Sequence, residues 1–326
     1  MRRLPAVALL LALAPLIGLT ASAAAQDLCA ERTIRFIVPF PPGGSVDTVA
    51  RLFAPHVGQA TGRQIVVDNR GGASGSVGTA AAAAAPGDGC TVLLVFDTHA
   101  VNPSLIARLP FDTERDLAPV MLLGTSPMVL AAHPSTGITN WNQVLERARA
   151  RPGDITYATI GQGSLAHLTM TQIANLAGIQ LTHVPYRGGG PAVQDAVAGH
   201  VNMILATPFV LVSHIRDGRL RAIALTGAEP SAQLPEAPTF RALGFPGFEA
   251  YAWWGILMPG RTPPAMVARM HAEFTRVVAM PEVRARLDAL GMDVIASDPD
   301  GLRRFVAAEI PRWREVVRAN GITAGD

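Results

Sequence analysis

Short, mostly apolar runs recur along this chain, and several give way to a glycine-rich turn and then to a helical pattern. Residues 34–38 (apolar but for Arg35), 65–67 and 91–96 are the first such runs, separated by helical stretches that begin near Ser45 and Gly75. A strand that is apolar at every position has both faces covered, which is the habit of a parallel sheet with helices packed on either side. The order strand, helix, strand, helix, strand then implies right-handed crossovers. The first helix carries Val46, Val49, Leu52 and Phe53 at helical spacing, and Pro55 is expected to kink or shorten it.

A second run of the same kind follows. Residues 155–158, 180–184, 201–206 and 221–225 read as strands. Residues 165–177 read as a helix stopped by Gly178, and residues 191–198 as one with Pro191 at its first position and Gly199 beyond its end. Two long apolar segments, 120–132 and 251–258, separate the halves, the former interrupted by Gly124-Thr125-Ser126-Pro127. They are the candidate crossings. From Pro263 onward the chain is helical, amphipathic and rich in arginine. The simplest topology is α/β, with one lobe from residues 26–124 plus 251–326 and a second from 125–250. Two α/β lobes joined by two extended crossings make a clamshell that can hinge shut on a ligand.

The amino terminus sets the compartment. Arg2 and Arg3 precede an apolar run over residues 4–19, and Ala21-Ser22-Ala23-Ala24-Ala25 supplies the small residues of a cleavage site. That order is a secretory signal peptide, residues 1–25, with cleavage near Ala25 and a periplasmic mature protein. A membrane anchor needs about 20 apolar residues, more than this run has. The whole chain has 27 basic and 25 acidic residues, and loss of Arg2 and Arg3 brings the formal charge to zero. Nothing in that balance draws the protein to nucleic acid or to an anionic membrane.

An oxidising compartment makes the two cysteines informative. Cys29 stands just before the strand at 34–38, and Cys90 just before the one at 91–96. If those strands are parallel neighbours, both sulfurs lie at the same edge of one sheet, and a disulfide is expected. The alternative is a pair of unbridged thiols.

Four glycine-rich turns are the places where chemistry could live. They are Pro39-Phe40-Pro41-Pro42-Gly43-Gly44-Ser45-Val46-Asp47, Asn69-Arg70-Gly71-Gly72-Ala73-Ser74-Gly75-Ser76, Gly161-Gln162-Gly163-Ser164 and Arg187-Gly188-Gly189-Gly190. Each joins a strand to a helix, so all lie at the carboxyl ends of parallel strands, where open α/β sheets bind ligands. Helix starts there present unpaired N–H groups and the positive end of the helix dipole. Two lobes aiming such starts at one cleft would hold an anion without any buried Lys or Arg. Any single turn also has a plain reading: the glycines only turn the chain, Ser45 and Ser164 only cap helices, and Asp47 bonds back to its own helix start.

Enzyme readings fare worse. Gly161-Gln162-Gly163-Ser164-Leu165-Ala166 fits a dinucleotide fingerprint, but Thr182-His183-Val184-Pro185-Tyr186 puts no acid at the end of the next strand. Gly72-Ala73-Ser74-Gly75-Ser76 has glycine and serine in the wrong order for a nucleophile elbow. The eight histidines show no metal spacing, and no Cys-x-x-Cys occurs. His167 could be a general base, but on the first turn of a helix facing a cleft it reads better as a donor to ligand or a structural group. Trp253-Trp254, on a crossing segment, reads as core.

The stretch Ile-Arg-Phe-Ile-Val-Pro-Phe-Pro-Pro-Gly-Gly-Ser-Val-Asp-Thr-Val-Ala-Arg over residues 34–51 closely resembles the opening of the Bug family, the extracytoplasmic receptors of tripartite tricarboxylate transporters. The resemblance continues through Val67-Asp68-Asn69-Arg70-Gly71-Gly72-Ala73, Val101-Asn102-Pro103-Ser104-Leu105, Gly161-Gln162-Gly163-Ser164 with His167-Leu168, and Val184-Pro185-Tyr186-Arg187-Gly188. It ends with Leu234-Pro235-Glu236-Ala237-Pro238-Thr239 and Trp254-Gly255-Ile256-Leu257-Met258-Pro259.

It implies a two-lobed periplasmic binding-protein fold of the type II clamshell kind and a small carboxylic acid as ligand. No cofactor and no catalysis are implied. Membrane permease subunits of a tripartite tricarboxylate transporter would be the partners of a receptor expected to be monomeric. A sensor that presents its ligand to a signalling partner is the alternative, with an enzyme on the same fold a remote one. By resemblance, the turns holding Phe40, Gly43, Gly44, Ser45 and Asp47 and Gly161, Gln162, Gly163 and Ser164, with His167, grip one carboxylate. Thr98, His99, Asn102, Tyr186 and Arg187 would line the rest of the cleft. Cys90 and the Ala158-Thr159-Ile160 wall depart from the family's usual residues, and the more apolar wall favours a monocarboxylate or aromatic acid over citrate.

Overall fold

The protein is described by a computed structural model that covers residues 28–323. The signal-peptide segment lies outside the described residues. The first βαβαβ run is β1 (Thr33–Val38), α1 (Ser45–Thr61), β2 (Gln64–Asn69), α2 (Ser76–Ala84) and β3 (Thr91–Val95). β1 sits between β2 and β3 and is parallel to both. After α3 (Thr98–Leu105) comes β4 (Leu117–Pro127), then β5 (Val129–Ala132) and α4 (Trp141–Ala150). The second run is β6 (Thr156–Thr159), α5 (Leu165–Ala177), β7 (Thr182–Pro185), α6 (Gly189–Ala198), β8 (Met203–Ala206), α7 (Pro208–Arg216) and β9 (Arg221–Leu225). β10 (Tyr251–Pro259), α8 (Pro264–Val278), α9 (Pro281–Ala289), β11 (Asp293–Val294) and α10 (Pro299–Ala319) close the chain.

These strands form two sheets. The first has the order β11-β4-β10-β3-β1-β2, the second β7-β6-β8-β5-β9. In each, the parallel strands of a βαβ run are joined by antiparallel additions. β10 lies antiparallel between β3 and β4, and β5 lies antiparallel between β8 and β9. Every residue of β3 and β8 is buried, as their unbroken apolar sequences require. The carboxy-terminal helices return to the first sheet: α8 packs on α1, and α10 on α3 and β4.

Two local expectations change. Pro55 does not end α1, which runs on to Thr61 and stops at Gly62, in the left-handed conformation at φ 66°. Fully buried Val57 anchors that last turn, so packing outweighs the hydrogen bond that proline forfeits. Gly124-Thr125-Ser126-Pro127 does not interrupt its strand either, because β4 pairs with β10 through all four residues. A Cβ on Gly124 would stand 2.5 Å from the Asp293 carbonyl oxygen, so the glycine admits β11 to the edge of β4.

The chain changes sheets at Met128 and returns between Thr226 and Ala250, and one residue ties both crossings together. Thr226, fully buried, exchanges bonds with Met128: the Met128 N–H donates to Thr226 Oγ1 at 2.8 Å, and the Thr226 N–H to the Met128 carbonyl at 2.9 Å. The same hydroxyl donates to the Ala250 carbonyl at 2.6 Å, and the Ala250 N–H donates to the Thr226 carbonyl at 3.0 Å.

Cys29 and Cys90 are joined by a disulfide across a Cα–Cα distance of 4.7 Å. It staples the residues leading into β1 to the start of β3, as the shared sheet edge led one to expect. The bridge spans a sequence separation of 61, and closing a loop of that length in the unfolded chain stabilises by about 2–4 kcal/mol. Replacing both cysteines by serine is expected to lower the free energy of denaturant unfolding by that amount. An unchanged midpoint would contradict it.

Candidate functional site

The turn after β1 is built around a buried carboxylate. Asp47, on the first turn of α1, accepts the Gly43 N–H at 3.0 Å, Arg51 Nε at 3.0 Å and Asn69 Nδ2 at 3.0 Å. Asn69 also donates to the Phe40 carbonyl at 3.0 Å. Burial alone would raise the Asp47 pKa, but the bonds from Arg51, Gly43 and Asn69 outweigh it and hold the carboxyl below its usual value. With its oxygens committed to the loop, Asp47 fixes the shape of the turn, and Gly44 and Ser45 present the helix start.

The turn after β6 is fixed by a histidine. Ser164, fully buried, caps α5 by accepting the His167 N–H at 3.3 Å. His167 Nδ1 in turn accepts the Gly163 N–H at 3.1 Å. The His167 ring stacks on His183 with centroids 3.9 Å apart, and His183 Nε2 lies 2.7 Å from Thr159 Oγ1. Burial lowers His167 to about 4; burial and then the neighbouring His167 lower His183 to about 3. Both rings are therefore neutral at pH 7, and Nδ1 of His167 is free to accept. Gly163 has φ 68°, a left-handed conformation that favours glycine, and a Cβ there would press on the Leu105 side chain, which would have to move.

The stacked pair carries a pH signature. An unfolded chain protonates both imidazoles near 6.5, whereas the folded one resists until about 4 and about 3. Stability is thus fully present above 6.5 and falls below it, by up to about 1.4 kcal/mol per pH unit for each ring. His183→Phe keeps the stack and removes one titration, so its loss of stability between pH 6.5 and 4 should be shallower than that of the parent. Identical slopes in urea titrations would contradict this.

Helix starts of the two sheets meet with almost no side chain between them. A Cβ on Gly44 would be 3.7 Å from the Gly189 nitrogen, one on Gly190 would be 2.6 Å from the Pro42 carbonyl oxygen, and one on Gly188 would be 2.7 Å from Pro41 Cδ. Polar contacts add to this seam. Ser74 Oγ donates to the Gln162 carbonyl at 2.8 Å, Gln162 Nε2 to the Thr323 carbonyl at 3.3 Å, and Asn175 Nδ2 to Asn320 Oδ1 at 2.6 Å.

At the seam is a narrow cavity lined by Phe40, Phe96 and Val46 from one lobe and Ile160, Leu205 and Val210 from the other. Gly44, Ser45, Gly189 and Thr207 bring the starts of α1, α6 and α7 to its wall. Ala166 adds the first turn of α5. Four helix amino termini, three of them following the first, third and fourth glycine turns, thus surround one largely apolar space. Their N–H groups and dipoles favour a negative charge there.

The remaining sequence candidates lie as follows. Phe40, Gly44 and Ser45 line the cavity, and Gly43 stands at a neighbouring groove with Gly190. Gly161, Gln162 and Gly163 form the α5 turn above it. Thr98 and Asn102 are buried on α3, and Asn102 Nδ2 donates to the Ser74 carbonyl at 3.0 Å, holding the second glycine turn. The His99 ring lies away from the cavity, edge-on to Trp253 at 6.4 Å. The Tyr186 hydroxyl donates to Asp195 Oδ2 at 2.7 Å, and Arg187 is exposed. Asp97 was not singled out, yet it lines the cavity and is 1 % exposed. Its signal was positional: an acid just past a fully buried strand, one residue before a helix.

Comparison with known proteins agrees with this geometry. The profile of the family described as "Tripartite tricarboxylate transporter family receptor" matches residues 49–322. The chain is 38% identical over 301 residues to a UPF0065 protein from the tcbD-tcbE intergenic region of Pseudomonas sp. (strain P51), covering 91% of this chain and 90% of the other. It is 36% identical to protein BugT of Bordetella pertussis, covering 92% and 93%. Two solved structures are similar along almost their whole length. One is R. palustris Rpa4515 with adipate, at 28% identity, a TM-score of 0.86 and coverage of 90% and 99%. The other is MatC (Rpa3494) from Rhodopseudomonas palustris with bound malate, at 31% identity, a TM-score of 0.83 and coverage of 88% and 99%. Fold, glycine turns and sequence therefore agree: the chain belongs to the tripartite tricarboxylate transporter receptors, the Bug family.

Proposed function

We propose that this protein is a periplasmic receptor that closes on a small organic carboxylate and delivers it to the permease of a tripartite transporter. The observation that carries this reading is the convergence of helix starts from both sheets on one cavity whose lining, among the described residues, contains no basic side chain. A carboxylate held there is met by backbone N–H groups and aligned dipoles, each dipole contributing roughly 0.3–1 kcal/mol besides its charge-assisted bonds. Closure of the first lobe on the second supplies the second half of that cradle. In this reading the protein binds and releases its ligand without chemistry. The adipate and malate of two similar structures are carboxylates too, which supports the class. Among the described residues no helix is long and apolar enough to cross a membrane.

A thermal-shift screen of the mature protein against organic acids and their neutral amides tests the class. Acids that raise the melting temperature while their amides do not support the reading; amides as effective as the acids would overturn it.

A further inference from the structure

We propose that Asp97 reads the far end of the ligand, selecting carboxylates that also carry an ammonium or other N–H donor and rejecting those with a second carboxylate. The inference rests on the reading of the cavity as a carboxylate site and goes beyond it by assigning the charge of the ligand's other end.

Asp97 lies two residues beyond β3, at the N-cap position of α3, on the cavity wall between the two sheets. It is 1 % exposed, and its Oδ1 has no hydrogen-bond partner within the protein. Among the described residues of the cavity lining it is the one ionisable side chain. The other polar side chains of the lining are the hydroxyls of Ser45 and Thr207. The helix starts of α1, α6 and α7 favour negative charge in the cavity, while the start of α5 is met by Asp97 itself, whose open oxygen calls for a donor.

The groups around the acid are few. The backbone N–H groups of Leu165, at the start of α5, and of Thr98 favour its ionised form, while burial, and then Glu309 on α10, push its carboxyl well above the usual range. Glu309 itself accepts from Trp313 Nε1 at 2.6 Å and from Arg312 at 3.1 Å, so it brings no cation to Asp97. A buried acid with an open oxygen is costly unless something donates to it. A ligand ammonium or amide N–H makes that bond and keeps the carboxylate ionised. A second ligand carboxylate brings no donor: it faces an ionised acid as a like charge that water cannot screen, or binds only if Asp97 takes up a proton. Rejection by an unpaired like charge is how a site discriminates without additional contacts. The apolar floor of Phe40, Phe96, Ile160, Leu205 and Val210 then suits the carbon skeleton between the two ends.

Calorimetric titration of the mature protein tests this with three matched series: ω-amino carboxylates, diacids and alkyl monoacids of equal chain length, with apolar α-amino acids alongside. The parent is expected to bind an amino acid about tenfold or more tighter than its diacid and monoacid counterparts. Asp97→Asn and Asp97→Ser should erase that preference and admit diacids, with the melting temperature of the free protein unchanged or higher. A parent that prefers diacids or monoacids, or a preference that survives in both variants, overturns the assignment while leaving the carboxylate reading intact. Failure of every acid in all three proteins would overturn both.

Discussion

Gly190→Val is expected to weaken ligand binding roughly tenfold to a hundredfold, with a smaller loss of stability in the free protein. Gly190 lies in the first turn of α6 outside the left-handed region, but it precedes Pro191, whose ring crowds a Cβ on the residue before it, so a side chain brings some strain within its own lobe. The larger obstacle stands in the other lobe. A Cβ would come within 2.6 Å of the Pro42 carbonyl oxygen, a backbone atom in the turn that leads to α1. Neither partner has a flexible tip to withdraw. The two turns must stand apart, and the helix starts of α1 and α6 no longer face the same anion at close range. Overpacking of this kind costs about 1–3 kcal/mol, which as a loss of affinity is the stated range. Calorimetry with the best acid, paired with a urea unfolding curve, separates the outcomes. Undiminished affinity would mean that binding does not use the close approach of these turns.

The second large effect is expected at the crossing. Thr226→Val preserves shape but removes the hydroxyl that accepts from Met128 and donates to Ala250. Both partners are buried, at 2% and 1% exposure, and no water can replace the lost bonds. Leaving a buried N–H and a buried carbonyl unpaired costs about 1–3 kcal/mol each, so destabilisation of about 2–4 kcal/mol or more is expected. Thr226→Ser keeps the hydroxyl and should recover most of it. Equal unfolding free energies for the valine and serine variants would show that the hydroxyl is not what joins the two chain crossings.

Much of this architecture was legible because two periodicities and one residue type carry it. Strands apolar at most positions pointed to a sheet covered on both faces. Glycine after β1, β2, β6 and β7 marked turns at the carboxyl ends, and the placement of Cys29 and Cys90 before neighbouring strands pointed to the disulfide. What was not legible depended on tertiary neighbours. Proline propensity argued against α1 continuing past Pro55, but buried Val57 holds the last turn. Gly124 looked like a strand break, although its missing side chain is what admits β11.

Side-chain direction was the other gap. Asp97, His99 and Asn102 are near in sequence, yet Asp97 lines the cavity, His99 meets Trp253 and Asn102 holds the Ser74 turn. Successive residues at a helix start point to different sides, so a motif names the neighbourhood and not the group that faces the ligand. Asp47 shows the same limit, because its carboxylate is spent on Gly43, Arg51 and Asn69 and shapes the turn from behind.

A crystal structure of the mature protein with its best acid tests the central claim most directly. The account predicts the ligand's carboxylate between the two sheets, within hydrogen-bonding distance of N–H groups at the starts of helices from both lobes. A carboxylate bound by arginine side chains on the surface, or held by one lobe alone, would contradict it.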